Sequence, residues 1–237
     1  VSSGIYVAAA GAVAQSNALD TTANNIANAS TTGYHADRVT FAEALGRAKS
    51  VDTALVSGGG TKVDTNAGAV TQTGNQLDFS LQGDGLFGVQ TANGPRYTRA
   101  GNFQVDKDNH LVTADGLKVR GENGSPITLP PGMQQLTVDP SGALAADGVA
   151  VGKLEIARFA PANLKREGET LFAATGKPLT TDLPKVQNGQ LEGSNFNIIR
   201  GVVDLVKVSR TYESLMRVIQ SYHDVESRAA RDLGAPK

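Results

Sequence analysis

Two stretches with helical period stand at opposite ends of the chain, and the residues between them, 58–193, read as short strands. This arrangement limits the possible folds. Each end must bury its apolar side against the other end, against the central strands, or against another molecule. In the first stretch Ile5, Ala9, Ala12, Ser16, Leu19, Ala23 and Ile26 recur at steps of four and three. Such steps describe a coiled-coil-like seam rather than the broad stripe of an ordinary surface helix. The seam is made of small residues, so a partner backbone can come close. Ser2 or Ser3 is suited to cap its start, and Gly33 to stop it. Asn24, Asn25 and Asn28 are poor helix formers, and their amides need hydrogen-bond partners wherever they are buried.

The last stretch repeats the pattern. Leu205, Val208, Tyr212, Leu215, Ile219 and Tyr222 are three and four apart, with Arg200, Asp204, Lys207, Arg210, Glu213 and Arg217 set among them. Asn195 or Asn197 can cap its start, and Gly234 and Pro236 end it. Tyr212 and Tyr222 fall on the apolar period, so packing explains them better than ligand recognition.

Between the ends, Leu77, Phe79 and Leu81 alternate with polar residues, as do Phe103 and Val105, Leu117 and Val119, and Leu154 and Ile156. Asn93-Gly94-Pro95, Asp115-Gly116, Asn123-Gly124, Asp139-Pro140-Ser141-Gly142 and Asp147-Gly148 supply turns. Alternation broken by frequent turns predicts an antiparallel β sandwich or barrel-like domain and argues against βαβ units. The fold class is therefore mainly β with terminal α-helices. Residues 1–40 and 198–237 are expected to form a helical assembly region, 41–75 an extended connector with a joint at Gly58-Gly59-Gly60, and 76–193 a β-rich domain.

Thin seams of small residues bury little area per turn, and short helices are marginal alone in water. The two ends are therefore expected to pair with each other, with neighbouring subunits, or with both, and to order on assembly. A compact α+β domain with its end helices on the sheet is the alternative.

Several function classes are disfavoured. The 237 residues carry 22 Lys and Arg against 23 Asp and Glu, a net charge of -1, so no basic surplus points to nucleic acid. No cysteine is present, which removes disulfides, thiolate zinc sites and a cysteine nucleophile. The apolar run Ile5–Ala14 is too short to span a membrane, and no basic residue precedes Arg38, so neither a lipid-embedded segment nor a cleaved signal peptide is expected. His35, His110 and His223 lie in different zones without ligand spacing. Asp106-Lys107-Asp108-Asn109 resembles the start of a calcium loop, but Leu111 stands where the sharp-turn glycine belongs, so a hairpin turn is the better reading. Gly83-Asp84-Gly85 lacks the partners of a phosphate cradle. No catalytic residues and no cofactor are expected.

The segment Thr22-Ala23-Asn24-Asn25-Ile26-Ala27-Asn28-Ala29-Ser30-Thr31-Thr32-Gly33-Tyr34 closely resembles the amino-terminal signature of flagellar rod and hook proteins. Further segments resemble that family in its order: Gly68–Asp78, Leu81–Phe87, Tyr97–Phe103, Leu111–Gly116, and near the end Leu191-Glu192-Gly193-Ser194-Asn195 and Arg210–Glu213. Within the family the middle motifs are similar to the proximal-rod and distal-rod branches. The shortness of the chain and the opening Gly4–Ala12 favour the proximal one.

The resemblance implies a tubular rod crossing the periplasm, with terminal helices inside and the β domain outside. It also implies export through the flagellar type III apparatus without a cleaved signal, and other rod proteins and copies of the same chain as partners. The assembly interface is then expected at Ile5, Ala9, Ala12, Leu19, Ala23, Asn24, Asn25, Ile26 and Asn28, and at Leu205, Val208, Tyr212, Leu215, Ile219 and Tyr222. Removing residues 1–34 is expected to leave the β domain folded and to abolish assembly. A secreted β-rich binding module, with dispensable ends, and a hydrolase using loop carboxylates are the competing classes.

Overall fold

The computed structural model describes residues 2–40, 42–44, 55–57, 60–180 and 183–234. Gly58 and Gly59 of the expected joint, most of the connector between 41 and 59, and Pro236 lie outside the described residues. The chain divides into two compact units. The first holds Val1–Ala27, Asp37–Lys62 and Asn197–Lys237, and the second holds Asn28–Ala36 and Val63–Phe196.

Two helices dominate the first unit, α1 (Ser2–Ala27) and α2 (Ile198–Gly234). Asn197 begins α2 by accepting the Arg200 N–H on its side-chain oxygen at 3.0 Å, which satisfies one of the free donors of the first turn. The helices pack against each other and run in opposite directions, since Gly4 faces Tyr222 and Gly11 faces Leu215. A Cβ on Gly4 would come within 2.7 Å of the Tyr222 hydroxyl, so glycine is what admits the ring there. Strands Asp37–Val39 and Leu55–Ser57 also pack on α1.

Burial on α1 follows the expected seam only in part. Ala8, Ala12, Ala14, Ala18 and Asn25 are buried, while Ala9 and Ala23 are exposed. Two causes combine. Alanine stands at 8, 9 and 10 alike, so residue size does not fix the phase. The helix is also covered by α2 and by strands, so it has no single buried line. On α2, where large residues mark the period, Leu205, Val208, Tyr212, Leu215, Ile219 and Tyr222 are all half-buried and mostly flanked by exposed positions.

α1 ends at Ala27, before Gly33. Asn25 turns the chain back: its Nδ2–H donates to the Asp37 carbonyl at 2.8 Å, and the Asp37 N–H donates to its Oδ1 at 2.9 Å. The side chain thus pairs as a backbone would, which answers the hydrogen-bond demand of a buried amide.

The second unit is antiparallel β. Strand Leu86–Thr91 forms a hairpin with Gly94–Thr98, which continues to Leu171–Ala174 and then Leu164–Arg166. Its other edge is shared: Val89 and Gln90 pair with Val119 and Lys118, while Leu86 and Phe87 pair with Ala157 and Ile156. Leu111–Val112 and Gln104–Val105 extend the sheet. Among the described residues, the sheet has eight strands, seven of them on a path that is open at Gln104–Val105 and at Leu164–Arg166. The barrel-like expectation is therefore corrected. Strands of two to six residues, interrupted by turns, do not supply the continuous ladder that closure requires.

A three-stranded sheet (Leu136–Val138, Ala143–Ala146, Val149–Lys153) and the pairs Phe79–Gln82 with Lys185–Asn188 and Val70–Gln72 with Gln190–Glu192 complete the unit. Asp147 and Gly148 both have positive φ, 49° and 82°, as a two-residue hairpin turn needs. Phe79, Phe87, Phe103, Leu111, Val119, Leu136, Leu144 and Leu154 share one core. The Phe103 ring meets Phe79 at 5.6 Å and Phe87 at 5.3 Å. Alternation fails in places: Ser80 is buried between Phe79 and Leu81, and Val105 is exposed.

Tyr34, fully buried, and the rest of 28–36 belong to this β unit. A cut after residue 34 would remove part of its core, so the expectation that 1–34 is dispensable for the β fold is corrected to 1–27.

Candidate functional site: a buried ionic clasp and the faces of the helical unit

Three polar side chains, His35, Arg99 and Glu192, meet inside the β unit. Glu192 ends its strand with a side chain 1% exposed. Its Oε2 accepts from Arg99 Nε at 2.5 Å, and its Oε1 lies 3.2 Å from His35 Nε2 and accepts the Gly68 N–H at 2.8 Å. Arg99 follows the hairpin strand Gly94–Thr98 and spends its other nitrogens on carbonyls, Nη1 on Gly85 at 2.6 Å and Nη2 on Leu81 at 2.8 Å. Burial pushes the Glu192 carboxyl up, but the His35 hydrogen bond, the Arg99 charge and the Gly68 N–H together outweigh it and hold the group below its ordinary value.

Around this cluster the segment that follows α1 is stitched to the segment that precedes α2. Gly33 N–H donates to the Glu192 carbonyl at 2.8 Å, Asn195 N–H to the Tyr34 carbonyl at 3.2 Å, and Ala36 N–H to Asn195 Oδ1 at 2.7 Å. Asn195 Nδ2 donates to the carbonyls of Asp64 at 2.9 Å and Asn66 at 2.8 Å. Arg166 donates to the His35 carbonyl and lies over the rings of Tyr34, at 4.8 Å, and Phe172, at 5.1 Å. Gly33 has φ +66°, and a Cβ there would stand 2.3 Å from the Ala100 nitrogen, so it serves close backbone approach and not helix termination.

A second charged group is more open. Arg120 Nε lies 2.8 Å from Glu155 Oε2, and Tyr97 bonds the same carboxylate. Burial pushes the Glu155 carboxyl up against the opposing pull of Arg120. Asp106, Asp108 and His110 place ligand-type atoms within 4.8 Å of one another. Asp106 Oδ1 already accepts the N–H groups of His110 at 2.7 Å and Asp108 at 2.9 Å, and that hydrogen bonding, led by His110, holds its carboxyl below the usual range. This is the local bonding of a hairpin turn.

The fifteen residues expected at an assembly interface do not behave alike. Ala12, Asn25 and Asn28 are buried, and Ile5, Leu19, Ile26 and the six α2 residues are half-buried. Ala9, Ala23 and Asn24 are exposed. Asn28 lies in the β unit, where its Oδ1 accepts from Thr31 Oγ1 at 3.2 Å. The helical unit also leaves large apolar residues in solvent. Tyr6 and Val13 are exposed on α1, and Ile199, Val206, Val218 and Val225 on α2. Sequence reasoning missed the clasp. Glu192 and Arg99 both lie inside the quoted motifs, and each is a single charge among small or apolar neighbours, which is the signal that could have found them.

Comparison with known proteins gives a consistent answer. Residues 5–35 match the flagella basal body rod protein family, 80–146 the flagellar hook protein FlgE/F/G D1 domain, and 187–232 the flagellar basal body rod FlgEFG protein C-terminal family. The chain is 32% identical to the flagellar basal-body rod protein FlgF of Rhizobium meliloti over 99% of both chains. The chain belongs to the flagellar basal-body rod protein family. It is also 35% identical to FlgG of Agrobacterium fabrum over 97% of this chain and 98% of that one, and 33% identical to FlgF of Escherichia coli over 95% and 96%. Rod-family membership makes it a structural component and not an enzyme. His35, Arg99 and Glu192 fall one in each of the three matched segments, so the clasp joins regions that the family models treat separately. No helix among the described residues is long and apolar enough to cross a membrane.

Proposed function

We propose that the chain is a proximal-rod subunit of the FlgF type, which polymerises through α1 and α2 into a coiled-coil-like bundle of many copies and transmits torque across the periplasm. One observation carries the assembly reading. Tyr6 and Val13, Ile199 and Val206, and Val218 and Val225 are exposed apolar pairs seven residues apart. Heptad spacing on surfaces left in solvent is what further helices in a bundle would cover. Contacts between different patches on successive copies generate an open helical array. Copies of the chain and other rod proteins are the partners, and the flagellar type III apparatus is the export route.

The FlgF assignment is supported by full-length similarity to FlgF of Rhizobium meliloti and by the opening Gly4–Ala12. The usual FlgG ending, with Val-Glu-Glu-Met-Val after the Ser-Asn pair, is replaced here by Ile198-Ile199-Arg200-Gly201-Val202-Val203, a stretch that departs from typical FlgF as well. FlgG is the second reading, favoured by the 35% identity to the Agrobacterium fabrum protein. Complementation separates the two. The chain should restore swimming and intact basal bodies, seen by electron microscopy, to a strain lacking FlgF and not to one lacking FlgG. A version without residues 1–27 should keep its β unit and fail to restore either; continued motility with that truncation would falsify assembly through the helices.

A further inference from the structure

We propose that His35, Arg99 and Glu192 form an acid-released clasp on the segments that enter and leave the β unit, with the adjoining cavity as the route by which a proton arrives. This inference does not rest on the rod assignment. Three observations carry it together.

The first is burial. The side chains of His35, Arg99 and Glu192 are 6%, 2% and 1% exposed, so none of the charges is relieved by bulk water. The second is what the carboxylate holds. Glu192 takes the Gly68 N–H on its side chain and the Gly33 N–H on its carbonyl, and Asn195, three residues on, bonds Tyr34, Ala36, Asp64 and Asn66. The closure of 33–36 on 192–195 therefore centres on one acid. The third is access. A cavity of about 250 Å3 is lined by Leu86, Phe159, Leu164 and Phe172 and also by His35 and Arg99. The cluster is buried from the surface yet borders a space that reaches it.

The charged and titratable groups around Glu192 are few. His35 and Arg99 touch it, Arg166 acts on it through the His35 carbonyl, and the Asp84–Arg158 pair, at 3.0 Å, lines the same cavity. Asp64 offers its carbonyl to Asn195. The His35 hydrogen bond and the Arg99 charge both favour the ionised carboxylate, so the clasp stays shut until Glu192 itself is protonated. Neutral Glu192 leaves the Arg99 guanidinium buried with two carbonyls and no counter-ion, a state that the surrounding fold relieves by opening. The direction agrees with the depressed Glu192 carboxyl. A group lowered on folding contributes its stability above its unfolded value and loses it as pH falls through the folded one.

Amide hydrogen exchange on the full-length chain, corrected for intrinsic rates, tests this. Between about pH 6 and about pH 3, protection at Gly33, Ala36, Gly68 and Asn195 should fall at least about tenfold more than at Leu111 and Ile127 of the core. In Glu192→Gln these amides should be weakly protected throughout and lack the step. Loss of protection at all amides together, or the same step in Glu192→Gln, overturns the proposal. If Glu192→Gln does not fold, His35→Phe, which keeps a ring but has no donor, decides. Removing the His35 bond lets Glu192 accept a proton sooner, so the step should move to higher pH, and an unmoved step overturns the proposal.

Discussion

Glu192 Oε2 lies 2.5 Å from Arg99 Nε, in a pair whose members come from separate chain regions and are both nearly inaccessible to water. Breaking a buried pair from one side leaves an uncompensated charge, which costs about 3–5 kcal/mol. Glu192→Ala should therefore lower the unfolding free energy by that amount in urea denaturation at neutral pH. A loss below about 1 kcal/mol, the range of an exposed pair, would mean that water reaches Arg99.

Asn25 reaches Asp37 through two hydrogen bonds that copy a backbone ladder. Each such bond contributes about 0.5–1.5 kcal/mol net, so Asn25→Ala should cost about 1–3 kcal/mol. Asn25→Asp sets a buried carboxylate oxygen against the Asp37 carbonyl and should cost at least as much as Asn25→Ala in a thermal melt.

Gly101 packs against the Phe79 carbonyl so closely that a Cβ would stand 1.8 Å from that oxygen. Gly101→Ala forces backbone to move and should cost about 3 kcal/mol or more, the upper end of overpacking effects. Gly132, with φ +77° and nothing within 4 Å of a Cβ, provides the control. Gly132→Ala meets only the left-handed backbone penalty of about 1–2 kcal/mol. Equal effects in the two variants would remove the steric account.

Val218 and Val225 are exposed on α2, at 43% and 58%. Val218→Asp and Val225→Asp should change the stability of the isolated chain by no more than about 0.5 kcal/mol, as for other surface sites. Both should nevertheless abolish complementation of motility. Normal swimming with both aspartates in place would show that this face of α2 stays in water in the assembly.

Glu155 should show a pH dependence of opposite sign to that of Glu192. Its carboxyl is raised, chiefly by burial, so the folded state holds the proton more tightly than the unfolded one. Stability then falls as pH rises from the ordinary carboxylate value through the raised one. Titration of the carboxyl by NMR should place Glu155 above and Glu192 below the exposed acids.

Much of the helical unit was legible before the structure because its signals are local. On α2 the large residues Leu205, Val208, Tyr212, Leu215, Ile219 and Tyr222 mark the half-buried side, and Asn197 caps it. On α1 alanine fills neighbouring positions, so size cannot say which side is buried, and burial follows the seam at Ala12 but not at Ala9 or Ala23. Turn chemistry was equally readable, as at Asp147-Gly148, where positive φ is imposed by the hairpin itself. Alternation misled at Ser80 and Val105, because short strands covered on both sides or on neither do not follow a two-residue period.

From the sequence alone came the two helices, the antiparallel β character, the turns and the family resemblance, since each depends on residues close together in the chain or on motifs preserved in order. Tertiary structure decided which side of α1 is buried, where the β unit begins, that its largest sheet stays open, and that His35, Arg99 and Glu192 meet. The reason is physical. His35 and Glu192 are 157 residues apart and Arg99 and Glu192 are 93 apart, and no periodicity spans such distances. Only packing that excludes water turns three distant side chains into one clasp.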